Sequence, residues 1–430
     1  MVSREEDVAA AAARLWADRD PEALLSSGAR ELSPGTATDW GLPASAWELA
    51  SRGEAISLAG GIPDPSTLPA AALREALDHA LASDDGGALT YGGGLGFEGL
   101  REQLADRSAR ELGLPASAEH FMLTNGSAGG IAIVCAALLD RGDIVVSESP
   151  TFSGTMRTLR GHGARIVTVP VDEDGCRTDA LAATLARLQA EGRRAKLVYA
   201  IPNFHNPTGA SLTLERRREL VRLAAEHGAL LLDDDPYGEI HFDEARPPSL
   251  AALAGGRGVI TVGTFSKTIA TGLRVGWIEA EPELIERFTR MRFDMGGSPL
   301  LHRMIAGFIE SGGYGDHVGR MRPLYARKAE ALQRGLRQYA EPYAEFRGPR
   351  GGFFLWVRLR DGLSTDAVQR EALAEGVVFP VGRAFFPDHA ERDDDPGSDY
   401  IRLAFSTASV EELEEAAARI ARACERAAGG

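Results

Sequence analysis

The segment ALLLDDDPYGE, residues 229–239, joins a short apolar run directly to a cluster of polar residues. Two other runs end in the same way: KLVYAIPN leads into NFHNPTG (203–209), and GVITVGTFS leads into TFSKTIATGLRVGW (264–277). Helical patterns such as LERRRELVRLAAEHG (214–228) lie between the runs. This alternation predicts an α/β domain built on a largely parallel, buried sheet.

The pattern changes along the chain. Residues 1 to about 55 mix Ala-rich helix with Pro and Gly turns and show no strand pattern, whereas the alternation runs from about 56 to 300. Beyond 300, long helical patterns precede the apolar segments GGFFLWVRL, GVVFPVG and DYIRLAFS. We therefore predict an N-terminal helical arm (1–55), a large domain (56–300) and a smaller α+β domain (301–430).

Charge and cysteine usage exclude several classes of protein. Among the 430 residues, 62 are acidic and 47 are Lys or Arg, so attraction to nucleic acid or an anionic membrane is disfavoured. No apolar run approaches transmembrane length, and MVSREEDVAAAAARLW lacks the features of an export signal. The three cysteines and nine histidines show no disulfide or metal-ligand spacing. We expect a cytoplasmic protein with no metal, nucleic-acid or membrane partner.

The polar clusters predict a site. The carboxyl ends of parallel strands meet at one edge of a sheet, where open α/β folds bind ligands. A further segment, LTNGSAGG (123–130), turns through glycines into a helix whose N-terminal amides form a seat for a phosphate. The site would combine a lysine, a carboxylate, a phenol, an amide, an arginine and hydroxyls. Pyridoxal phosphate, with its carbonyl, ring nitrogen and phosphate, would use all of these groups.

The motifs also carry a family resemblance. NPTG, DDDPY, SK followed by GLRVG, and IRLAF resemble the aminotransferases of the pyridoxal-phosphate fold-type I superfamily. LAGGIPDP (58–65), the LTYG loop and GRAFFPD (382–388) are most similar to the branch with 2-aminoadipate, kynurenine and aromatic aminotransferases. The resemblance implies a large domain with a mostly parallel seven-stranded sheet between helices, and a smaller α+β C-terminal domain.

The resemblance implies three catalytic residues, Lys267, Asp234 and Tyr237, together with two residues that bind cofactor or substrate. Lys267 would form the Schiff base with pyridoxal phosphate and later move the proton from the substrate Cα. Asp234 would pair with the pyridine nitrogen and keep it protonated, so that the ring can accept electrons. Tyr237 and Asn206 would hydrogen-bond the ring hydroxyl, and Arg402 would hold the substrate α-carboxylate.

The other implied contacts surround the cofactor phosphate and ring. The groups that would hold the phosphate are the side chains of Thr264, Ser266 and Arg274 and the backbone amides of Ser127 and Ala128.

Phe152 would stack on the ring, and Gly61 would line the substrate site together with Asn206 and Arg402. Tyr91 would reach across a homodimer interface to the partner's phosphate. The substrates would be an amino acid and a 2-oxo acid. Arg30 or Arg52 could read an acidic side chain, although both are more typical of surface residues.

Several alternatives remain open at this level. Ala128 stands where the family commonly has glutamine, so a same-fold enzyme of specialised metabolism is the main alternative. Such an enzyme would catalyse γ-replacement, elimination or oxidation through a quinonoid intermediate. A ligand-sensing domain of a transcription regulator is a weaker alternative, because residues 1–55 are too short and acidic for a DNA-binding domain. Gly94, Gly96 and Gly99 form G-x-G-x-x-G, but no strand pattern precedes them as a dinucleotide site requires.

Overall fold

The computed structural model describes residues 4–17, 19–30, 32, 42–82, 86–113, 115–242, 246–360, 362–387 and 394–429. The α-helices in these residues are α1 (Arg4–Ala17), α2 (Ser27–Arg30), α3 (Ala44–Ser51), α4 (Ala70–Ala82), α5 (Glu98–Arg107), α6 (Gly126–Leu138), α7 (Ser153–Gly161), α8 (Thr178–Ala190), α9 (Leu214–Glu226), α10 (Leu250–Leu253), α11 (Pro282–Phe288), α12 (Pro299–Glu310), α13 (Gly313–Tyr339), α14 (Thr365–Ala374) and α15 (Val410–Gly429). None of these helices combines the length and apolar character that crossing a bilayer requires.

The strands in the same residues are β1 (Ile56–Ser57), β2 (Phe121–Thr124), β3 (Ile144–Ser149), β4 (Arg165–Asp172), β5 (Gly175–Cys176), β6 (Ala195–Ala200), β7 (Leu230–Asp234), β8 (Val259–Thr264), β9 (Gly276–Glu279), β10 (Ala344–Phe346), β11 (Phe354–Leu359), β12 (Val377–Val378) and β13 (Tyr400–Ala404).

The large sheet has the order β2-β9-β8-β7-β6-β3-β4-β5. The strands β8, β7, β6, β3 and β4 pair in parallel, while β9 is antiparallel to both of its neighbours. The predicted α/β architecture with a mostly parallel sheet is confirmed, and the two-residue β5 extends the expected seven strands to eight. The sequence pattern did not predict β9. Its four residues, GWIE, begin within the polar cluster of residues 264–277 and show no β-branched run.

The sheet is covered by helices on both faces, because successive side chains of each strand point in opposite directions. In β7, Leu231 belongs to a buried cluster that includes Leu220 of α9, whereas Leu232 packs in a second cluster with Ile131 of α6. A strand that is apolar on both faces therefore marks a central position in the sheet.

The C-terminal part forms a three-stranded antiparallel sheet, β10-β11-β13, with α13, α14 and α15 around it. The strand β1, which the sequence pattern assigns to the start of the large domain, pairs in parallel with β12, where Ile56 lies opposite Val377. The helix α13 contributes Tyr314 to a core cluster shared with α12 and Leu332 to the core of the C-terminal part. The proposed division of the chain at residue 300 remains a prediction.

Leu220 and Leu214 of α9 offer a matched test of this packing. Leu220 is fully buried and Leu214 is 36% exposed. We expect Leu220→Ala to lower the free energy of unfolding by about 2–5 kcal/mol, because it removes buried methyl groups and leaves a cavity. Leu214→Ala should change it by no more than about 0.5 kcal/mol, as is usual for exposed sites. Urea unfolding followed by circular dichroism measures both, and equal losses would contradict the assigned packing.

Candidate active site

The polar clusters meet at one edge of the large sheet. Asp234 is the last residue of β7, and Tyr237 follows it in the next turn. Asn206 lies in the loop after β6, and Lys267 follows the end of β8. Because these strands are parallel neighbours, their carboxyl ends bring the predicted residues together.

Lys267 is held by a backbone carbonyl. Its Nζ donates a hydrogen bond to Gly61 O at 2.7 Å and lies 5.8 Å from the centre of the Tyr237 ring. Burial lowers the pKa of Lys267 to about 8, and the cations Arg402 and Arg274 act in the same direction. A significant fraction of the amine is therefore unprotonated near neutral pH, and this is the form that attacks a carbonyl carbon.

Asp234 has one satisfied and one unsatisfied oxygen. The Tyr199 hydroxyl donates to Oδ2 at 2.7 Å, whereas Oδ1 is buried and has no hydrogen-bond partner among the described residues. Burial raises the pKa of Asp234 to about 7, although the hydrogen bond from Tyr199 opposes this rise. A buried acceptor without a donor is unfavourable, so Oδ1 fits a protonated ring nitrogen supplied by a ligand.

Arg402 is a buried cation that donates to two neutral oxygens. Its Nη1 donates to Asn206 Oδ1 at 2.9 Å, and its Nη2 donates to Ala59 O. The guanidinium carbon lies 4.4 Å from the centre of the Phe354 ring and 4.6 Å from that of Phe385. Burial lowers the pKa of Arg402 to about 9, which leaves it cationic at neutral pH. A guanidinium desolvated in this way is suited to a carboxylate.

Tyr237 shares Asn206 with Arg402. The phenol is 3% exposed and hydrogen-bonds the Asn206 side chain. Burial raises the pKa of Tyr237 well above its usual value, while Arg402 and Asn206 oppose that rise. The phenol therefore keeps its proton at neutral pH and can donate it in a hydrogen bond.

The residues of the predicted phosphate seat lie together at the start of α6. Arg274 Nη1 is 3.5 Å from Ser266 Oγ, and its Nη2 donates to Asn125 O at 3.4 Å. Thr264 Oγ1 accepts from the Ser266 amide at 3.1 Å. A Cβ added at Gly126, where φ is +71°, would lie 2.6 Å from Arg274 Nη2. Glycine at this position therefore lets the guanidinium approach the helix N-terminus, where backbone amides have no partner within the helix.

The other predicted residues have different surroundings. Ser127 is half-buried and Ala128 is exposed, both in the first turn of α6. Phe152 is half-buried and precedes α7. Gly61 is buried, and a Cβ there would lie 2.2 Å from the Phe354 ring. Tyr91 is 83% exposed in the single chain.

Residues beneath the site were not predicted from the sequence. Tyr199 is fully buried in β6 and donates to Asp234, and a tyrosine within the apolar run LVYAI was the available signal. Glu148, which lies within an apolar run and carries no motif, is also buried, and its Oε2 accepts the Ile201 amide at 2.7 Å. His205 lies 3.3 Å from that carboxylate oxygen and 3.0 Å from Thr208 Oγ1.

Known proteins are similar to this chain in sequence. Residues 54–420 match the family described as aminotransferase class I and II. The aromatic-amino-acid aminotransferase 1 of Thermococcus litoralis is 32% identical over 87% of this chain and 89% of its own length. The 2-aminoadipate transaminase of Thermus thermophilus is 33% identical over 87% of this chain and 91% of its own length.

A solved structure shows the same fold with a cofactor adduct. The alpha-aminoadipate aminotransferase LysN of Thermus thermophilus, complexed with N-(5'-phosphopyridoxyl)-L-leucine, matches with a TM-score of 0.83 at 30% identity. The match covers 96% of this chain and 100% of that chain.

The raised pKa of Asp234 predicts a pH dependence of stability. The native carboxyl retains its proton up to about pH 7, whereas the unfolded chain releases it near the ordinary value of 3.8. The stability that this group contributes is therefore present at low pH and is lost as the pH rises through about 7. We expect the thermal midpoint of cofactor-free Asp234→Asn to fall less between about pH 5 and pH 8 than that of the parent protein.

The matched control is Asp179→Asn, which changes an exposed carboxylate paired with Arg177 on the protein surface. This variant should keep the pH dependence of the parent protein over the same range. Differential scanning calorimetry at several pH values measures all three proteins. Parallel curves for Asp234→Asn and the parent protein would contradict the raised pKa.

Proposed function

The chain belongs to the class I and II aminotransferases, and on this premise we propose which residues carry out its reaction and which substrates it takes. The family resemblance and the predicted pyridoxal-phosphate cofactor are confirmed. The protein transfers an amino group between an amino acid and a 2-oxo acid. The cofactor supplies an aldehyde that reacts with amines and a protonated ring that accepts electrons from the substrate Cα.

The observation that carries the proposal is that Lys267 lies at the same sheet edge as Asp234, whose buried Oδ1 has no hydrogen-bond partner among the described residues. Lys267 Nζ would hold the cofactor through its aldehyde carbon, and once the substrate amine had displaced it, the same amine would carry the proton removed from Cα. Asp234 Oδ1 would accept a hydrogen bond from the ring N–H and keep that nitrogen protonated. Asn206 and Tyr237 hydrogen-bond the ring hydroxyl, since they already hydrogen-bond each other at this position.

The phosphate and the carboxylate bind at separate cations. Arg274 binds the phosphate with the Ser266 and Thr264 hydroxyls and the amides of Ser127 and Ala128, because these groups surround the N-terminus of α6.

Arg402 binds the substrate α-carboxylate and thereby directs Cα–H towards Lys267. Phe152 stacks on the ring, and Gly61 lines the substrate site next to Lys267.

We also propose that the preferred amino acid has an aromatic or other apolar side chain. Ile62 follows Gly61 and is 42% exposed, so it offers an apolar surface beside Lys267. Arg30 and Arg52, the cations considered for an acidic side chain, are both exposed, and Arg52 lies 3.8 Å from Glu48. The relative from Thermococcus litoralis, named for aromatic amino acids, supports this choice.

The proposal extends to assembly and location. We propose a homodimer in which Tyr91 contacts the partner's phosphate, since this tyrosine is 83% exposed in the single chain. Leu89, in the same loop, is 73% exposed, which is consistent with a surface covered by a second copy. A cytoplasmic location is consistent with three buried cysteines that carry no disulfide.

The reaction is tested by the visible spectrum of the purified holoenzyme during titration with single amino acids, without a 2-oxo acid. We expect aromatic amino acids to convert the cofactor to its amino form at the lowest concentrations, and a 2-oxo acid to reverse the change. Preferential conversion by 2-aminoadipate would contradict the proposed side-chain class. Borohydride reduction followed by peptide mapping should locate the cofactor on Lys267, and an adduct on another lysine would refute that role.

Tyr91 is tested by subunit mixing. Tyr91→Phe should release cofactor faster during dialysis, because it loses a hydrogen bond to the phosphate. Mixed dimers of Tyr91→Phe with Lys267→Ala should contain one intact site, formed by Lys267 of the first subunit and Tyr91 of the second. The control is Tyr339→Phe, which changes another exposed tyrosine. This control should retain cofactor as the parent protein does. If the mixed dimers retain no more cofactor than Tyr91→Phe homodimers, the tyrosine does not act across the interface.

A further inference from the structure

The loop of residues 59–63 contacts both functional cations through its backbone. Ala59 O accepts a hydrogen bond from Arg402 Nη2, and Gly61 O accepts one from Lys267 Nζ at 2.7 Å. The group proposed to bind the substrate carboxylate and the group proposed to move its proton are therefore both oriented by this loop. Any displacement of the loop changes both contacts at once.

The loop has little means of holding itself in place. Gly60 and Gly61 carry no side chains, and a Cβ at Gly61 would lie 2.2 Å from the Phe354 ring. Ala59 packs in a small buried cluster with Ala46 and Val378, and contacts at the two ends of the loop also restrain it. At the first end, the Leu58 amide donates to Val378 O, and Leu58 O accepts from the Ala404 amide, each at 2.8 Å.

At the second end lies a buried ion pair between Asp64 and Lys328. Lys328 Nζ donates to Asp64 Oδ2 and, at 2.9 Å, to Ser406 O. The two side chains are only 12% and 3% exposed. The Tyr325 hydroxyl accepts the Asp64 amide at 3.0 Å. Both Lys328 and Tyr325 lie on α13, so this end of the loop is fixed to that helix.

Asp64 also has a local role. Its Oδ1 accepts from the Ser66 amide at 2.8 Å and from the Ser66 hydroxyl at 2.7 Å. Burial raises the pKa of Asp64, but hydrogen bonds from Lys328 and Ser66 outweigh that effect and leave the pKa below its usual value. The carboxylate is therefore charged at neutral pH, and its two oxygens serve two different contacts.

The energetics of such pairs favour a geometric role. Desolvation of two buried charges offsets most of their attraction, so a buried ion pair adds little net stability compared with apolar residues of similar shape. Its directional hydrogen bonds nevertheless fix the atoms that it joins. We propose that Asp64 and Lys328 are positioning residues that hold the 59–63 loop, and thereby set the places of the Lys267 amine and the Arg402 guanidinium.

The inference rests on the proposed roles of Lys267 and Arg402, and it is tested with three variants of the holoenzyme. Asp64→Asn keeps an oxygen that accepts from Ser66 but removes the charge that faces Lys328. Lys328→Met removes the ammonium and keeps the chain length. The double variant has neither charge, so it carries no unpaired buried ion and should regain thermal stability relative to the single variants.

We expect all three variants to raise KM for the amino acid about 10- to 100-fold, because small displacements of catalytic groups have effects of this size. The decisive measurement is the double variant. If the thermal midpoint of the double variant is restored but its KM stays high, the result supports a positioning role. If its KM returns to the parent value together with the stability, the pair is only structural. A matched control is Arg334→Met, which breaks an exposed ion pair between α13 and Glu414 and should leave KM unchanged.

A second readout does not depend on turnover. In the cofactor-free protein, hydrogen–deuterium exchange of a peptide covering residues 58–64 should be faster in the three variants than in the parent protein and in Arg334→Met. Unchanged exchange in this peptide would refute the loop-holding role. Suppose that aromatic amino acids do not convert the cofactor of the parent holoenzyme at the lowest concentrations, while exchange of the 58–64 peptide is still faster in the variants. The proposed substrate class is then wrong, and the loop-holding role stands.

Discussion

The active site depends on one buried carboxylate at the end of an apolar strand. Asp234 lies at the end of β7, beyond that strand's three leucines, and is 4% exposed, in an environment that disfavours its charge. Only one of its oxygens is satisfied among the described residues, by Tyr199, which is itself fully buried. The protein therefore keeps an unfavourable acceptor that a cofactor bearing a ring N–H would satisfy. The stability lost at such a site in the cofactor-free chain is typical of binding sites that are formed in advance.

The cations near Asp234 affect the reactivity of Lys267. Burial lowers the pKa of Lys267 most, Arg402 and Arg274 lower it further, and Asp234 raises it, so the reactivity of the amine reflects both its burial and these three neighbours. Backbone carbonyls accept hydrogen bonds from two of these cations, Gly61 O from Lys267 and Ala59 O from Arg402. A neutral acceptor orients a cation without neutralising it. These contacts are consistent with the proposed binding of a carboxylate by Arg402 and the proposed nucleophilic role of Lys267.

The sequence locates the residues of the proposed site better than it predicts the long-range contacts that hold those residues in place. Asn206, Asp234 and Lys267 could be located because each follows an apolar run, and parallel strands bring their carboxyl ends together. The pairing of β1 with β12 could not be predicted, because it joins Ile56 to Val377, far apart in the chain, and each strand is only two residues long. The same limit applies to individual side chains. Lys328 and Asp64 are 264 positions apart, and although Asp64 lies in the LAGGIPDP motif, Lys328 does not differ locally from an ordinary surface charge. Long-range contacts of single residues leave no periodic signal in a sequence.

The glycines show why motif letters alone are a poor guide to chemistry. Gly94, Gly96 and Gly99 match a phosphate-binding pattern, yet among the residues that the structure describes no strand leads into them. Gly96 has φ of +81°, and a Cβ there would lie 2.8 Å from Leu123 Cβ, so it is required for close packing. The glycine at the proposed phosphate seat is Gly126, which opens α6 just after β2 and lies beside Arg274. Position distinguishes Gly126 from the glycines of the motif. Gly126 lies between a strand and a helix N-terminus, where backbone amides and a cation lie close together.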